Sequence, residues 1–353
     1  MSLLLLVLLA AALSAAATPL VRRLALRAGA VDHPGRRRVH DTPTPRLGGV
    51  AILVAMLGAL GIGTIVGLPV FDTLAAHGWR LGWLAGGIAV IVATGVVDDV
   101  RGLEAFPKLV FQTAAGAVAL AGGFELVGFT NPFTGAFVTF GVVGSVLTLV
   151  WILFVTNALN LIDGLDGLAA GVTSIAAATL LAIALGEGRL DAAFLWAVLL
   201  GAVVGFLPYN FNPASIFLGD TGSLLLGYLL AVLSLQSLQK GATAVVVTVP
   251  ILALGLPIME AGLTLLRRTV VSGVASVFRA DQEHLHHRLV AVGMSHRGAV
   301  LSLYAVCVAF NALAFASVLA QGVAQALLVG GAVVALLGSV RALRRRSQPA
   351  AEL

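Results

Sequence analysis

Long apolar runs, cut by short polar or Gly/Pro-rich breaks, follow one another from end to end of this chain. A helix rises 1.5 Å per residue, so a run of about 17–25 apolar residues suffices to cross a hydrocarbon layer about 30 Å thick. Irregular backbone inside such a layer would leave N–H and C=O groups unpaired, so the breaks mark the ends of spans. The pattern predicts about 11 transmembrane helices, at 2–20, 47–69, 81–97, 108–127, 138–157, 168–186, 191–207, 222–238, 243–264, 299–320 and 323–340. The fold class expected is all-α, a polytopic integral membrane protein. It comprises one transmembrane domain over 1–340 and a basic tail over 341–353, with no soluble domain boundary and no internal repeat.

The basic residues sort between alternate breaks. If the N-terminus lies outside, the segments 21–46, 98–108, 158–167, 208–221, 265–298 and the tail share one side and carry 18 of the 21 Lys and Arg residues. Only Arg80, Arg189 and Lys240 fall on the other. The positive-inside rule makes the basic side, and the C-terminus, cytoplasmic. The first run has no basic residue before it and is followed by Arg22, Arg23 and Arg27, which predicts an uncleaved helix rather than a signal peptide.

Composition agrees: 59% of residues are hydrophobic, 10% are charged and the mean hydropathy is +1.04, which excludes an ordinary soluble domain. The net charge of +5 follows from the topology, so no nucleic-acid partner is needed to explain it.

Against this apolar text the acids stand out. A carboxylate at the centre of a bilayer helix costs roughly 2.5–3.5 kcal/mol on insertion scales. Asp98, Asp99, Asp163, Asp166 and Asp220, with His284, His286 and His287, all fall in the cytoplasmic breaks or at helix ends beside them. Four separate loops thus bring polar chemistry to one membrane face. Carboxylate oxygens suit Mg²⁺ or Mn²⁺, whereas zinc more often recruits Cys or paired His. The single cysteine, Cys307, lies in an apolar span and reads as a core thiol. In NLIDGLDGLAAG and FLGDTGS a glycine flanks each acid, so the backbone can turn and bring N–H groups at a helix start toward an anion. Acids for a cation beside donors for an anion describe a metal–phosphate site, the pairing that phosphoryl transfer needs.

Five stretches carry a resemblance: RRRVHDTPTPRLGGVAI (36–52), VVDDVRGL (96–103), NALNLIDGLDGLAAG (157–171), FLPYNFNPASIFLGDTGSLLLG (206–227) and HLHHRL (284–289). In content and order they resemble the signatures of the polyprenyl-phosphate N-acetylhexosamine-1-phosphate transferases. The resemblance implies transfer of a sugar 1-phosphate from a UDP-sugar to undecaprenyl phosphate at the cytoplasmic face of a bacterial inner membrane. UMP is released, Mg²⁺ is the cofactor, and a homodimer is implied as well. HLHHRL is similar to the N-acetylglucosamine branch, which starts cell-wall or lipopolysaccharide glycans, rather than to the muramoyl-pentapeptide branch. Glu260 in PIMEAGL stands where that branch would be expected to carry aspartate.

The catalytic set is expected to be Asp98, Asp99, Asp163 and Asp220. Asp220 is the leading metal ligand, and Asp98 and Asp99 position metal and lipid phosphate; by resemblance, one of that pair could also act as base. Asn157, Asn160 and Asp163 recur every three residues and so share a helix stripe facing nucleotide or diphosphate, with Asp166 beyond Gly164. For Asp163 and Asp166, capping of the following helix is the structural alternative.

Asn210 resembles a nucleoside-contacting asparagine, while Asn212, before Pro213, reads as a turn residue. His284, His286, His287 and Arg288 form a basic knot suited to a diphosphate, with metal binding as the competing role. Lys108 either snorkels or, by resemblance, meets a phosphate. His40 and Arg46 lie in a Pro-rich segment that either closes over the nucleotide or attracts anionic lipid. The glycine-rich run LGGVAILVAMLGALGIG is expected to mark close helix packing. Rival readings are a nucleotide-sugar transporter, whose site would lie near the bilayer midplane, and a CDP-alcohol phosphotransferase, whose acids would form one compact run.

Overall fold

Apolar runs become helices here because a bilayer leaves the backbone no other way to pair its polar groups within one segment. The computed structural model describes residues 2–32, 43–67, 78–130, 136–237, 244–271, 285–320 and 330–331. In chain order these form α1 (Ser2–Ala28), β1 (Val31–Asp32), β2 (Thr44–Pro45), α2 (Gly48–Ile65), α3 (Gly78–Arg101), α4 (Ala105–Ala121), β3 (Gly128–Thr130) and β4 (Phe137–Thr139). There follow α5 (Val142–Ile162), α6 (Leu168–Gly186), α7 (Leu190–Asn210), α8 (Gly219–Ser237), α9 (Ala244–Ala253), α10 (Gly255–Val271), α11 (Leu285–Ala291) and α12 (His296–Leu319). Among the described residues seven helices are long and apolar enough to cross a membrane.

Nine of the expected spans coincide with single helices. The span at 243–264 is two, α9 and α10, meeting at Leu254. Pro250 inside α9 and Gly255 and Pro257 opening α10 account for the break, because proline cannot donate to the helix ladder and glycine's backbone freedom disfavours a helix interior. The span at 323–340 and the tail lie outside the described residues, apart from Gly330 and Gly331. Two short antiparallel ladders were not expected: β1 with β2, pairing Val31 with Pro45, and β3 with β4, pairing Phe129 with Val138.

α8 is the centre of the bundle. Leu224, Leu225, Leu226, Tyr228, Leu229 and Leu230 are all fully or nearly fully buried, and α2, α3, α5, α6 and α7 pack around the helix. A helix apolar on every face belongs in such a position. Lipid tails are as apolar as leucine, so helices associate through close backbone approach rather than through water exclusion. Gly49 of α2 lies against Gly222 of α8, and a methyl group at either would overlap the other helix or its flank. The start of the glycine-rich run, at Gly48 and Gly49, thus packs closely as its sequence led one to expect, whereas Gly61 further along meets nothing within 4 Å.

Candidate active site

The polar residues collect where α8 begins. Asp98 and Asp99 lie in the last turn of α3, an unfavourable place for negative charge because the helix macrodipole is itself negative there. The N-terminal end of α8, with its unpaired N–H groups and positive dipole end, compensates. Asp99 Oδ1 accepts from the Asp220 backbone N–H at 2.9 Å, and Asp99 Oδ2 accepts from the Thr221 N–H at 2.9 Å and the Thr221 hydroxyl at 2.6 Å. Asp99 therefore caps α8 from a helix more than a hundred residues away. Gly219 makes this approach possible: its φ is +73°, and a Cβ there would meet the Asp99 carboxylate at 2.6 Å.

Asp98 faces the other way. Its Oδ1 accepts from the Leu103 N–H at 2.6 Å, and its Oδ2 pairs with the Lys108 ammonium. Lys108 Nζ also lies 2.7 Å from Asp220 Oδ2. On the far side, Asn160 Nδ2 donates to Asp220 Oδ1 at 2.7 Å and to Ser223 Oγ at 2.8 Å. One ammonium thus joins carboxylates from α3 and α8, and an amide from α5 steadies the second of them.

Asp163 follows the last residue of α5, in the loop before α6. Burial, and then the negative charges of Asp220, Asp99 and Asp166, raise its pKa well above the ordinary carboxylate value. This is an acid cluster short of positive charge.

Asp166 serves the loop ahead of α8. Its Oδ2 accepts from Asn212 Nδ2 at 3.0 Å and from the Ala214 N–H at 3.1 Å. Neither acid is the N-cap of α6; Gly167 is, with φ of 83°. The same loop is held by Arg22 Nε to the Ser215 carbonyl (3.0 Å), by Arg297 Nε to the Asn212 carbonyl (2.9 Å), and by the Phe217 N–H to the Pro45 carbonyl (2.9 Å). Four distant segments thereby fix the residues leading into Asp220. Asn212 is in the turn expected of it. Asn210 is 2% exposed; its Nδ2 donates to the Ile216 carbonyl at 3.1 Å, and its Oδ1 has no hydrogen-bond partner among the described residues.

The structure thus brings Asp98, Asp99, Lys108, Asn160 and Asp220 into direct contact, with Asp163 beside them. It turns Asn157 elsewhere: Asn157 Nδ2 donates to Gln112 Oε1 at 2.6 Å and Gln112 Nε2 returns a bond to Asn157 Oδ1 at 3.4 Å. Arg46 pairs with Asp32 across the β1–β2 ladder. Arg288 is half-buried on α11. His40 and His284 lie outside the described residues, as do the side chains of His286 and His287.

Gln112, Thr221 and Ser223 were missed in the sequence. Gln112, 1% exposed, did carry a signal, being a lone amide one helical turn after Lys108 in an apolar span. The two hydroxyls carried none, because small hydroxyl residues are common in membrane helices.

Among the described residues no three His, Cys, Asp or Glu side chains are placed to hold a metal together. Two carboxylates, Asp98 and Asp220, do converge on one cation, the Lys108 ammonium. Mg²⁺ keeps several waters and binds through one or two carboxylates plus substrate phosphate, so this donor pair suits it.

Helices long and apolar enough to cross a membrane, with an acid, amide and lysine cluster at one end, define a membrane protein with a polar site at the end of its bundle. Comparison with known proteins narrows it. Residues 81–238, which hold all the clustered residues, match the model of glycosyl transferase family 4. A probable undecaprenyl-phosphate N-acetylglucosaminyl 1-phosphate transferase of Bacillus subtilis is 38% identical over 295 residues, covering 83% of this chain and 79% of that one. A decaprenyl-phosphate N-acetylglucosaminephosphotransferase of Mycolicibacterium smegmatis is 34% identical over 359 residues, covering 95% and 87%. A phospho-N-acetylmuramoyl-pentapeptide-transferase of Rubrobacter xylanophilus is 32% identical over 291 residues, covering 77% and 82%. The chain belongs to glycosyl transferase family 4, in the N-acetylglucosamine-1-phosphate transferase branch that its motifs resemble, and it is a multi-pass membrane protein.

Proposed function

We propose that the protein transfers N-acetylglucosamine 1-phosphate from UDP-N-acetylglucosamine to undecaprenyl phosphate at the cytoplasmic face, releasing UMP and starting a lipid-linked envelope glycan. The observation that carries this reading is the convergence of Asp98 and Asp220, from separate helices, on one cation position at the head of α8. In the reaction a lipid phosphate oxygen forms a bond to the sugar-bearing phosphorus, and the bond from that phosphorus to UMP breaks. A phosphate monoester has a second pKa near 6, so the nucleophile is already mostly dianionic at neutral pH and needs little help from a base.

Repulsion between two anionic substrates is the larger barrier. Mg²⁺ held by Asp98 and Asp220 would supply charge neutralisation and alignment of the phosphates. The chain's own residues supply the rest. Asn160 holds Asp220 in place, Asp99 fixes the helix that carries it, and Asp166 fixes the loop before it. Lys108 is the positive group within reach of an incoming phosphate. Asn210 has a buried acceptor available to a nucleoside donor, and the loop with His284, His286, His287 and Arg288 would hold the diphosphate.

The test is UMP release by purified protein with undecaprenyl phosphate, Mg²⁺ and, separately, UDP-N-acetylglucosamine, UDP-N-acetylgalactosamine or UDP-N-acetylmuramoyl-pentapeptide. Lipid- and metal-dependent UMP from the first donor, lost in Asp220→Asn, is expected. UMP from the pentapeptide donor alone would move the protein to the muramoyl branch. No UMP from any donor, in folded protein, would overturn the reading.

A further inference from the structure

The carboxylate oxygens of Asp98, Asp99 and Asp220, the three acids joined directly at the head of α8, are nearly all engaged. Asp99 spends both of its oxygens on the backbone and hydroxyl of α8, Asp98 Oδ1 is bonded to the Leu103 N–H, and Asp220 Oδ1 is bonded to Asn160. Two remain, Asp98 Oδ2 and Asp220 Oδ2, and both face the Lys108 ammonium. Among the described residues Lys108 makes no other ion pair. An ammonium and a divalent cation cannot share that position, because charges of like sign a few ångströms apart repel by several kcal/mol even at an effective dielectric constant of about 20.

We infer that Lys108 is an internal competitor for the divalent cation: it fills the position between Asp98 and Asp220 at rest, and is displaced from it when the cation arrives. The inference rests on the cation site proposed above. The flexible four-carbon stem of lysine permits the movement, and its first helical turn anchors it on α4 at the mouth of the cluster. Two consequences follow. The acid pair is never left without a counter-charge, and an ammonium becomes available to an incoming phosphate only after the cation is seated. Lys108 then enforces an order, with cation before phosphate.

The experiment reads metal binding rather than turnover. Mn²⁺ is titrated by electron paramagnetic resonance into the purified full chain without substrates, as wild type, Lys108→Met and Asp220→Asn. Lys108→Met is expected to bind Mn²⁺ about tenfold tighter than wild type, since removing a competing charge at this distance is worth at least that factor. Asp220→Asn is expected to lose the site. A second measurement needs no variant: modification of Lys108 by an amine-reactive reagent, read by mass spectrometry, should rise several-fold when Mg²⁺ is added to the wild type. Equal or weaker Mn²⁺ binding in Lys108→Met, with the site still lost in Asp220→Asn, would overturn the competition while leaving the metal site standing. Unchanged Lys108 labelling on Mg²⁺ addition would also overturn it. Mn²⁺ binding that ignores Asp220→Asn, or is absent from all three proteins, would remove the proposed cation site and the competition together.

Discussion

Thr221 binds Asp99 twice, through its backbone N–H at 2.9 Å and its hydroxyl at 2.6 Å, both to Oδ2. Thr221 is fully buried, so no water replaces the hydroxyl if it is removed. A hydrogen bond to a charged group is worth about 1.5–3 kcal/mol. Thr221→Val keeps the volume and both backbone bonds, and is expected to lose about that much stability with turnover reduced but present. Thr221→Ser, which keeps the hydroxyl, should retain most of both. Thermal unfolding beside a UMP-release assay checks the pair, and equal behaviour of the two variants would refute the capping role.

Gly219 combines a positive φ with a Cβ position blocked by Asp99. A side chain in left-handed backbone costs roughly 1–2 kcal/mol before any clash. Gly219→Ala is therefore expected to lower Tm and to abolish most turnover, since the capping carboxylate must move away from α8. Gly262→Ala on α10, which opens onto free space, should leave Tm and activity near wild type. The contrast separates a local requirement from a general intolerance of added methyl groups.

Asp166 needs an acceptor oxygen rather than a charge for its two bonds to the Asn212 side chain and the Ala214 N–H. Asp166→Asn can keep an acceptor there and is expected to be much milder than Asp166→Ala. In the alanine variant the 211–218 loop should become more sensitive to limited proteolysis and the KM for UDP-sugar should rise. Equal damage from both variants would point to the charge of Asp166 as the working feature.

Asp163 makes stability depend on pH in a direction that can be worked out. Its folded pKa is raised, so between the ordinary carboxylate value near 3.9 and that raised value the folded chain keeps a proton that the unfolded chain has released. Stability contributed through this group is therefore present at low pH and falls as pH rises through that window. In metal-free protein Asp163→Asn is expected to raise Tm at neutral pH, with the gain fading toward pH 4. Thermal unfolding of both proteins against pH in a chelating buffer is the check, and a gain that grows on acidification would contradict the assignment.

Much was legible in the sequence because hydropathy and charge act locally. The apolar runs set nine helices directly, the paired glycines at the start of α2 announced a close packing surface, and the sorting of acids into three breaks on one side anticipated a single polar end. Hydropathy is blind to backbone breaks within an apolar run, so the division of 243–264 at Leu254 was passed over although Pro250, Gly255 and Pro257 were in view.

What only the tertiary structure decided is the division of labour among residues of the same type. Asp98 and Asp99 are neighbours in one turn, yet the helix directs one carboxylate to Lys108 and the other to the start of α8. Asp166 goes to a loop, and Asn157 and Asn160, on one stripe of α5, go to Gln112 and to Asp220. The sequence by itself determined which residues reach the polar end, because the energy of placing apolar and charged groups in a bilayer is a property of each segment. Which of them share a cation depends on the contact of Lys108 with Asp220, 112 positions apart, and that is set by how the helices pack around α8.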